Sequence, residues 1–477
     1  MPANADLRRW AIPGLVAACV VLFAAGSSSS DAAKSFGGHA RWVALVVLLV
    51  AAVYDGWRKL DGAVARRLLR IATLPVAFVW LAVVSSAWSF EPGSSFAHAA
   101  SVGLLFATAA GVAVPTSGDP LARRRVLLAP AAATTLIATV GLLMLIVGND
   151  DAAQPASPVT PWRYRGFGEN PNTVALIIAV VLPLVAWLVA TTSGIARRLW
   201  LGAALLLLVS VVMSESRGAL VAAFAGTAAT ISLLALPRTR RLVAIAALAA
   251  IFVSGLVLRE AAQPAPPPFQ SAVQTVAPAK IPPPAPEGGK KQSSGGNVDG
   301  LDGTGAPPAP AVKPTELPAR SDEDGHPTVT AAQVTPVASG RLAAWRGALS
   351  LVEQRPLLGY GFGTESRVFV DHFYSFQGDR PENSALGLLL QLGAVGLVLL
   401  LLIAGDFLWR GARAARRAAE PGVRATAAAG VGVVVAAMIV AMIQSYIYAA
   451  GNIAVLTVWL AVFVVGIELG SERAARR

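Results

Sequence analysis

What most constrains this chain is a succession of apolar stretches, each close to the roughly 20 residues that a helix needs to cross the hydrocarbon of a bilayer. Twelve can be marked, at about 10–26, 40–56, 71–89, 96–114, 126–148, 173–193, 199–215, 217–236, 242–258, 384–409, 425–446 and 450–469. In lipid, every backbone N–H and C=O must find a partner inside the protein, so stretches of this length fold as helices. The expected fold is therefore an all-α polytopic integral membrane protein of about 12 transmembrane helices. Composition agrees, since 55% of the residues are hydrophobic and only 14% are charged, against about 25% charged in a soluble domain.

The formal charge of +12 would suit nucleic acid, but the placement of the cations argues for topology instead. With both termini cytoplasmic, more than half of the 39 Lys and Arg residues fall in or beside inner connections, among them Arg58, Lys59, Arg66, Arg67, Arg123, Arg124, Arg125, Arg197, Arg198, Arg416 and Arg417. Positive residues inside are the orientation signal of membrane helices. The expected partners are membrane lipids, with no nucleic acid. The first stretch follows a short basic flank, yet it lacks a small-residue cleavage site and eleven further spans follow, so it reads as a membrane helix. Cys19, the sole cysteine, lies inside it, which rules out an intrachain disulfide and a multi-thiolate metal site.

Four segments emerge. Residues 1–258 carry helices 1 to 9, and residues 384–477 carry helices 10 to 12. A large outer loop separates helices 9 and 10. Its first part, 259–340, holds half of the protein's 32 prolines and a run rich in glycine and serine, a composition too poor in apolar side chains to fold alone. Its second part, 341–383, changes character. "RLAAWRGALSLVEQ" places Leu342, Trp345, Leu349 and Val352 on one stripe, as in an amphipathic helix lying along the outer membrane surface. "RPLLGYGFGTES" then breaks the helix with proline and alternating glycines. Its GxGxG string is a weak nucleotide-loop signal, because no strand precedes it.

Charged side chains near membrane depth are costly and therefore candidates for function. Three stand at the outer face: Arg217 in "SESRGAL", Arg341 at the start of the amphipathic stretch, and Glu382 at the mouth of helix 10. Each has an ordinary alternative. Arg217 could snorkel to headgroups or pair with Glu215; Arg341 could anchor at the interface; Glu382 could complement a helix dipole. Taken together, two arginines and a carboxylate on one face can bind a lipid diphosphate and deprotonate a hydroxyl. Of the four histidines, His39 and His98 read as surface or packing residues near span ends, and His326 falls in the insertion. His372, ten residues before Glu382 and beside Asp371, is the reserve base. No spacing of His or Cys suggests a metal site.

The segments "SSAWSFEPGSS", "RYRGFGENPNTVA", "SESRGAL", "RLAAWRGALSLVEQRPLLGYGFG" and "ENSALGLLLQLGAVG", in this order, resemble the recurring blocks of the O-antigen ligase and polymerase superfamily. The likeness spans most of the chain outside the Pro-rich insertion. That family's signature is a histidine followed by Asn, Ser or Gln, nine residues, then Gly-x-x-Gly. Asn383, Gly393 and Gly396 keep the spacing, and Glu382 stands where the histidine would be. The resemblance implies a bacterial membrane glycosyltransferase at the outer face of the inner membrane. Such an enzyme takes glycan from undecaprenyl diphosphate and delivers it to a glycan or a lipid A-core-like acceptor in lipopolysaccharide or related surface polysaccharide, with no cofactor. It also implies that Arg217 and Arg341 bind the diphosphate and that Glu382 occupies the catalytic base's place. Asn383, Arg163, Arg165, Asn172 and His372 would contact substrate. Polymerase and ligase stay open. The rival from another class is a polysaccharide or lipid transporter or flippase, whose broken helices and paired repeats are not visible in the sequence; an inactive family member is the third reading.

Overall fold

The computed structural model describes residues 3–156, 162–262, 338–369 and 381–469. His372, the insertion from 263 to 337 and the terminal arginines of 470–477 lie outside the described residues. Each of the twelve apolar stretches carries a helix, the last two being shorter than expected because 442–454 form a connection: α1 (Ala3–Ala25), α2 (Asp31–Gly56), α3 (Gly62–Val84), α4 (Pro92–Thr116), α5 (Pro120–Ile146), α6 (Pro171–Thr191), α7 (Gly194–Met213), α8 (Arg217–Leu233), α9 (Arg238–Ala262), and, past the insertion, α12 (Ser384–Arg417), α13 (Pro421–Ala441) and α14 (Val455–Leu469). Two further helices precede α12: α10 (Ala338–Val352) and the single turn α11 (Glu365–Val368). Eight of the described helices are long and apolar enough to cross a membrane, and three shorter apolar ones accompany them. The protein is a polytopic helical membrane protein. Among the described residues the strands are a two-residue antiparallel pair, β1 (Ala153–Gln154) and β2 (Arg163–Tyr164), inside the α5–α6 connection.

The helix starts follow local chemistry. Asp61 accepts hydrogen bonds from the N–H groups of Ala63 and Val64 at 2.9 and 2.7 Å, Asp119 caps α5 in the same way, and Asn170 caps α6. Pro92, Pro120, Pro171 and Pro421 take first helical positions, where the missing N–H costs nothing and φ is already set.

Helix α6 is buried on nearly all sides, and α8 and α13 pack beside it. Small residues allow this, as expected where lipid supplies no hydrophobic drive between helices. At Gly226 a Cβ would meet the carbonyl of Gly432 at 2.6 Å, and the Thr230 hydroxyl donates to the carbonyl of Ala428 at 3.3 Å. The outer rim is apolar and exposed, with Val43, Val46, Val47 and Val50 of α2 and Leu199, Leu201 and Leu205 of α7 turned outward, as suits lipid contact.

Successive antiparallel helices divide the connections between two ends. Residues 26–30, 85–91, 147–156, 162–170, 214–216 and 442–454 and the start of α12 share one end, hereafter the site end. Cross-links confirm the grouping: Ser29 N–H to Gly168 O, Phe362 N–H to the Ser85 hydroxyl, Arg163 to Ser214 O.

The amphipathic stretch forms α10, with a different face inward. Ala344 and Ala348 are buried, Trp345 and Val352 pack beside them on Leu386 and Leu390 of α12, and Leu349 is exposed. Of the expected stripe, Trp345 and Val352 face inward and Leu349 does not, because Ala344 and Ala348 turn the packed face and bring α10 close to the bundle.

Candidate functional site

The first signature glycine is explained by a broken helix. Gly393, nine residues past the start of α12 and so roughly 14 Å along it, has φ 62° and ψ −162°. Only glycine adopts this conformation readily, and a side chain there would collide with the carbonyl of Leu357. The segment 356–361 enters this break and satisfies the backbone groups it frees. Tyr360 and Gly361 donate N–H groups to the carbonyls of Leu390 and Gln391 at 2.8 and 2.9 Å, and Ala394 and Val395 donate to Pro356 and Leu357 at 2.8 and 3.3 Å. The GxGxG string is thus the strip that lies on α12, not a phosphate loop. Gly359 faces the α12 backbone with φ 64°, where a Cβ would approach Leu390 O to 2.6 Å. The expectation of unbroken apolar helices is therefore corrected at α12. Non-helical backbone at such depth is tolerated where protein packs around it or a cavity adjoins it.

At the head of α12, residues from four segments meet. The Asn383 side chain accepts from Ala385 and Leu386 N–H at 2.9 and 3.2 Å, and its Nδ2 donates to Met442 O at 3.0 Å. The Ser384 hydroxyl donates to Gln444 O at 2.6 Å. Asn383 is buried and holds the helix start to the α13–α14 connection. Before it, Glu382 is half-buried and has φ 48°. The left-handed region costs a residue with a Cβ roughly 1–2 kcal/mol. Among the described residues, one other non-glycine has positive φ, Glu215 at 54°, two residues before Arg217. Strain of this kind clusters at functional sites.

The segments that carry Arg341 and Arg217 both reach the head of α12. The Trp345 indole N–H donates to Pro381 O at 2.8 Å, and Arg341 lies one turn before Trp345, on the same face of α10. Arg217 opens α8 and is exposed; its neighbour Gly218 abuts Ile443, next to the Met442 carbonyl that holds Asn383. Arg163 joins from the α5–α6 connection, donating to Ser214 O at 2.9 Å and to Asn172 Oδ1 at 2.6 Å. Arg165 does not: its guanidinium donates to the carbonyls of Glu169 and Gly168 at 3.0 and 3.4 Å and closes its own loop. There it adjoins Glu169, fully buried with neither carboxyl oxygen hydrogen-bonded. Burial pushes the Glu169 carboxyl up to about 7.

Beside this cluster opens a cavity of about 640 Å³, and none of the candidate residues marked out in the sequence, among those described, lines it. Its walls include Arg41 of α2, Glu91 and His98 at the start of α4, Glu365, Gln391 of α12 and Tyr448. Glu365 is buried and receives Ser445 Oγ at 2.7 Å, Tyr448 OH at 2.7 Å and Gln391 Nε2 at 3.2 Å. The amide of Gln391 is oriented by Gly363 N–H, which donates to its Oε1 at 2.7 Å. Ser445 accepts from Asn383 N–H at 3.2 Å, so one hydroxyl links the cavity carboxylate to the head of α12. Arg41, some ten residues and about 15 Å along α2, donates to Gly451 O at 3.1 Å and lies over the Trp42 ring at 5.4 Å. His98, expected to be bland, is a wall residue, with Nδ1 at 2.8 Å from Ser94 O. Among the described residues no three His, Cys, Asp or Glu side chains gather as a metal site would require.

Sequence reading missed Glu365, Arg41 and Tyr448. The available signal was the charge itself: Arg41 and Glu365 are ionisable residues within or beside apolar segments. No curated protein matches the chain. Residues 202–401, from α7 through the middle of α12, match the Wzy_C family, described as O-antigen ligase. The match takes in Arg217, Arg341, the broken-helix glycines and Glu382, and this part of the chain is similar to the O-antigen ligase and polymerase superfamily.

Proposed function

We propose that this protein is a membrane glycosyltransferase that moves a glycan from undecaprenyl diphosphate to an acceptor hydroxyl at the outer face of the bacterial cytoplasmic membrane, in surface polysaccharide synthesis. Arg217 and Arg341 hold the diphosphate through bidentate guanidinium contacts and neutralise the charge that grows on it as the glycosidic bond breaks. Glu382 takes the proton of the acceptor hydroxyl, whose oxygen attacks the anomeric carbon and displaces undecaprenyl diphosphate. One displacement inverts that carbon. The leaving group is already activated, so the scheme requires neither a nucleotide sugar nor a metal. Asn383 acts by fixing the backbone on which Glu382 sits; Arg163 and Asn172 brace the turn that presents Arg217.

The observation that carries the reading is the convergence of the Arg341 helix, the Arg217 turn and the left-handed Glu382 on Pro381 and residues 442–445. A transporter reading gains one feature, the break in α12, since discontinuous helices mark many transporters. Here, however, the break is filled by segment 356–361, whose backbone takes the freed hydrogen bonds. The test is transfer by purified protein in sealed vesicles that carry lipid-diphosphate oligosaccharide, with a soluble acceptor glycan added outside. Appearance of elongated acceptor supports the enzyme. Movement of the lipid-linked glycan between leaflets with no elongation supports the transporter.

A further inference from the structure

The cavity walled by Arg41, His98 and Glu365 differs chemically from the arginine cluster beside it. Its lining holds one arginine and two carboxylates, Glu91 and Glu365, together with serine hydroxyls and the rings of Trp42, Phe362 and Tyr448. One guanidinium against two carboxylates is a poor match for a diphosphate, which takes cationic partners. A lipid tail would need apolar walls, and the buried Glu365 carboxylate would be costly against it. Carboxylate acceptors, a guanidinium donor, hydroxyls and aromatic faces in one pocket match a ligand rich in hydroxyl groups whose ring faces are apolar. The volume of about 640 Å³ lies within the range of small-ligand sites.

We infer that this cavity is a saccharide-binding site and that it receives the hydroxyl-bearing end of the acceptor glycan. The inference rests on the proposed transfer reaction for its second half only. Its position follows from Ser445, which donates to Glu365 and accepts from Asn383: a saccharide seated against Glu365 is one residue's hydrogen bonds away from the helix start that bears Glu382. Glu365 is held as an acceptor from three sides by Ser445, Tyr448 and the oriented Gln391 amide, and is thereby fixed to read a hydroxyl. Arg41 supplies the opposing donor, anchored by Gly451 O and the Trp42 ring. The two neighbouring sites thus divide the substrates by charge, with the anionic donor on arginines and the neutral acceptor in the carboxylate-walled cavity.

The experiment uses the full-length protein in lipid nanodiscs, labelled and applied to an array of hexose- and N-acetylhexosamine-terminated oligosaccharides, with undecaprenyl diphosphate binding measured in parallel. Four variants are compared with the wild type: Glu365→Gln, Arg41→Gln, Arg217→Ala, and Ala97→Trp. Ala97 is an exposed cavity-wall residue of α4, so the last variant fills the cavity without replacing any member of the Glu365 network. Melting temperatures establish which variants fold. The expected result is saccharide binding by the wild type, weakened at least tenfold in Glu365→Gln, Arg41→Gln and Ala97→Trp and retained in Arg217→Ala, with the reverse pattern for undecaprenyl diphosphate. Absence of binding to every saccharide, or full binding in a folded Ala97→Trp protein, overturns the inference. Failure of the transfer reading is distinct: binding that is cavity-dependent without any transfer leaves the saccharide site standing and removes its role as acceptor site. Transfer with an unchanged acceptor KM in Ala97→Trp does the opposite, upholding the enzyme and rejecting the site.

Discussion

The two ends of the helix bundle handle charge in opposite ways. At the end away from the site, Arg123 of α5 and Glu468 of α14 form a buried ion pair at 3.0 Å with side chains 2% and 8% exposed, and Glu468 also accepts from Gly118 N–H at 2.7 Å. Lys59 donates to Pro115 O at 2.7 Å, and Asp61 and Asp119 cap helices. Cation and anion there serve to tie helices together. At the site end Glu365 walls a cavity, Arg217 and Arg341 open or ride on helices near the head of a broken α12, and two non-glycine residues, Glu215 and Glu382, are left-handed. The same residue types therefore tie helices together where they are paired at one end, and under the proposed function they do chemistry at the other.

Substitutions at the two ends should separate stability from activity, and the largest effect is expected at the closed end. Arg123→Ala leaves Glu468 buried without its cation, a change that typically costs about 3–5 kcal/mol. Thermal unfolding in detergent should register it, while transfer per folded molecule stays within about twofold. A loss of specific activity instead would erase the contrast. Arg217→Ala and Arg341→Ala should do the reverse, lowering kcat/KM for transfer on the order of 10²–10³-fold, about 2.7–4 kcal/mol, with little change in melting temperature.

Glu169 sharpens the comparison, because it is charged chemistry buried at the site end without hydrogen bonds to its carboxyl oxygens. Its folded value is raised to about 7 from an ordinary 4.5, so between these the folded protein binds more protons than the unfolded one. Stability should then fall as pH rises from about 4.5 to about 7 and level off above. The span is on the order of 3 kcal/mol. Melting curves across pH should show that slope, and Glu169→Gln should flatten it and raise stability at pH 8. The smallest effect is expected at Glu382 itself: glycine there relieves a left-handed strain of about 1 kcal/mol. Glu382→Gly should melt slightly higher while losing transfer, the trade expected where strain serves function.

The helices were legible because their signals are local. Apolar runs, Asp61, Asp119 and Asn170 as caps, and prolines at first helical positions all act within a few residues. The candidate arginines and Glu382 were legible for the same reason, each marked by charge beside an apolar run and by fixed spacing to Gly393 and Gly396. What the glycines do was not, since Gly393 answers to Leu357 and Gly361 to residues 30 positions on. Glu365 was hidden more deeply. Its donors come from 391, 445 and 448, and only the packing of α12 against the α13–α14 connection brings them together. Arg165 shows the converse: a charged residue in a promising motif, turned by Gly168 and Glu169 carbonyls into loop closure.

The central claim is that a carboxylate at the head of α12 does the work of a proton acceptor. It is tested most directly by single-turnover transfer from lipid-diphosphate oligosaccharide with wild type, Glu382→Gln and Glu382→His, each with donor binding measured separately. Transfer lost in Glu382→Gln and regained in Glu382→His, with donor binding unchanged throughout, is the predicted result. Full transfer in Glu382→Gln would contradict it and leave Glu382 as a helix-end charge.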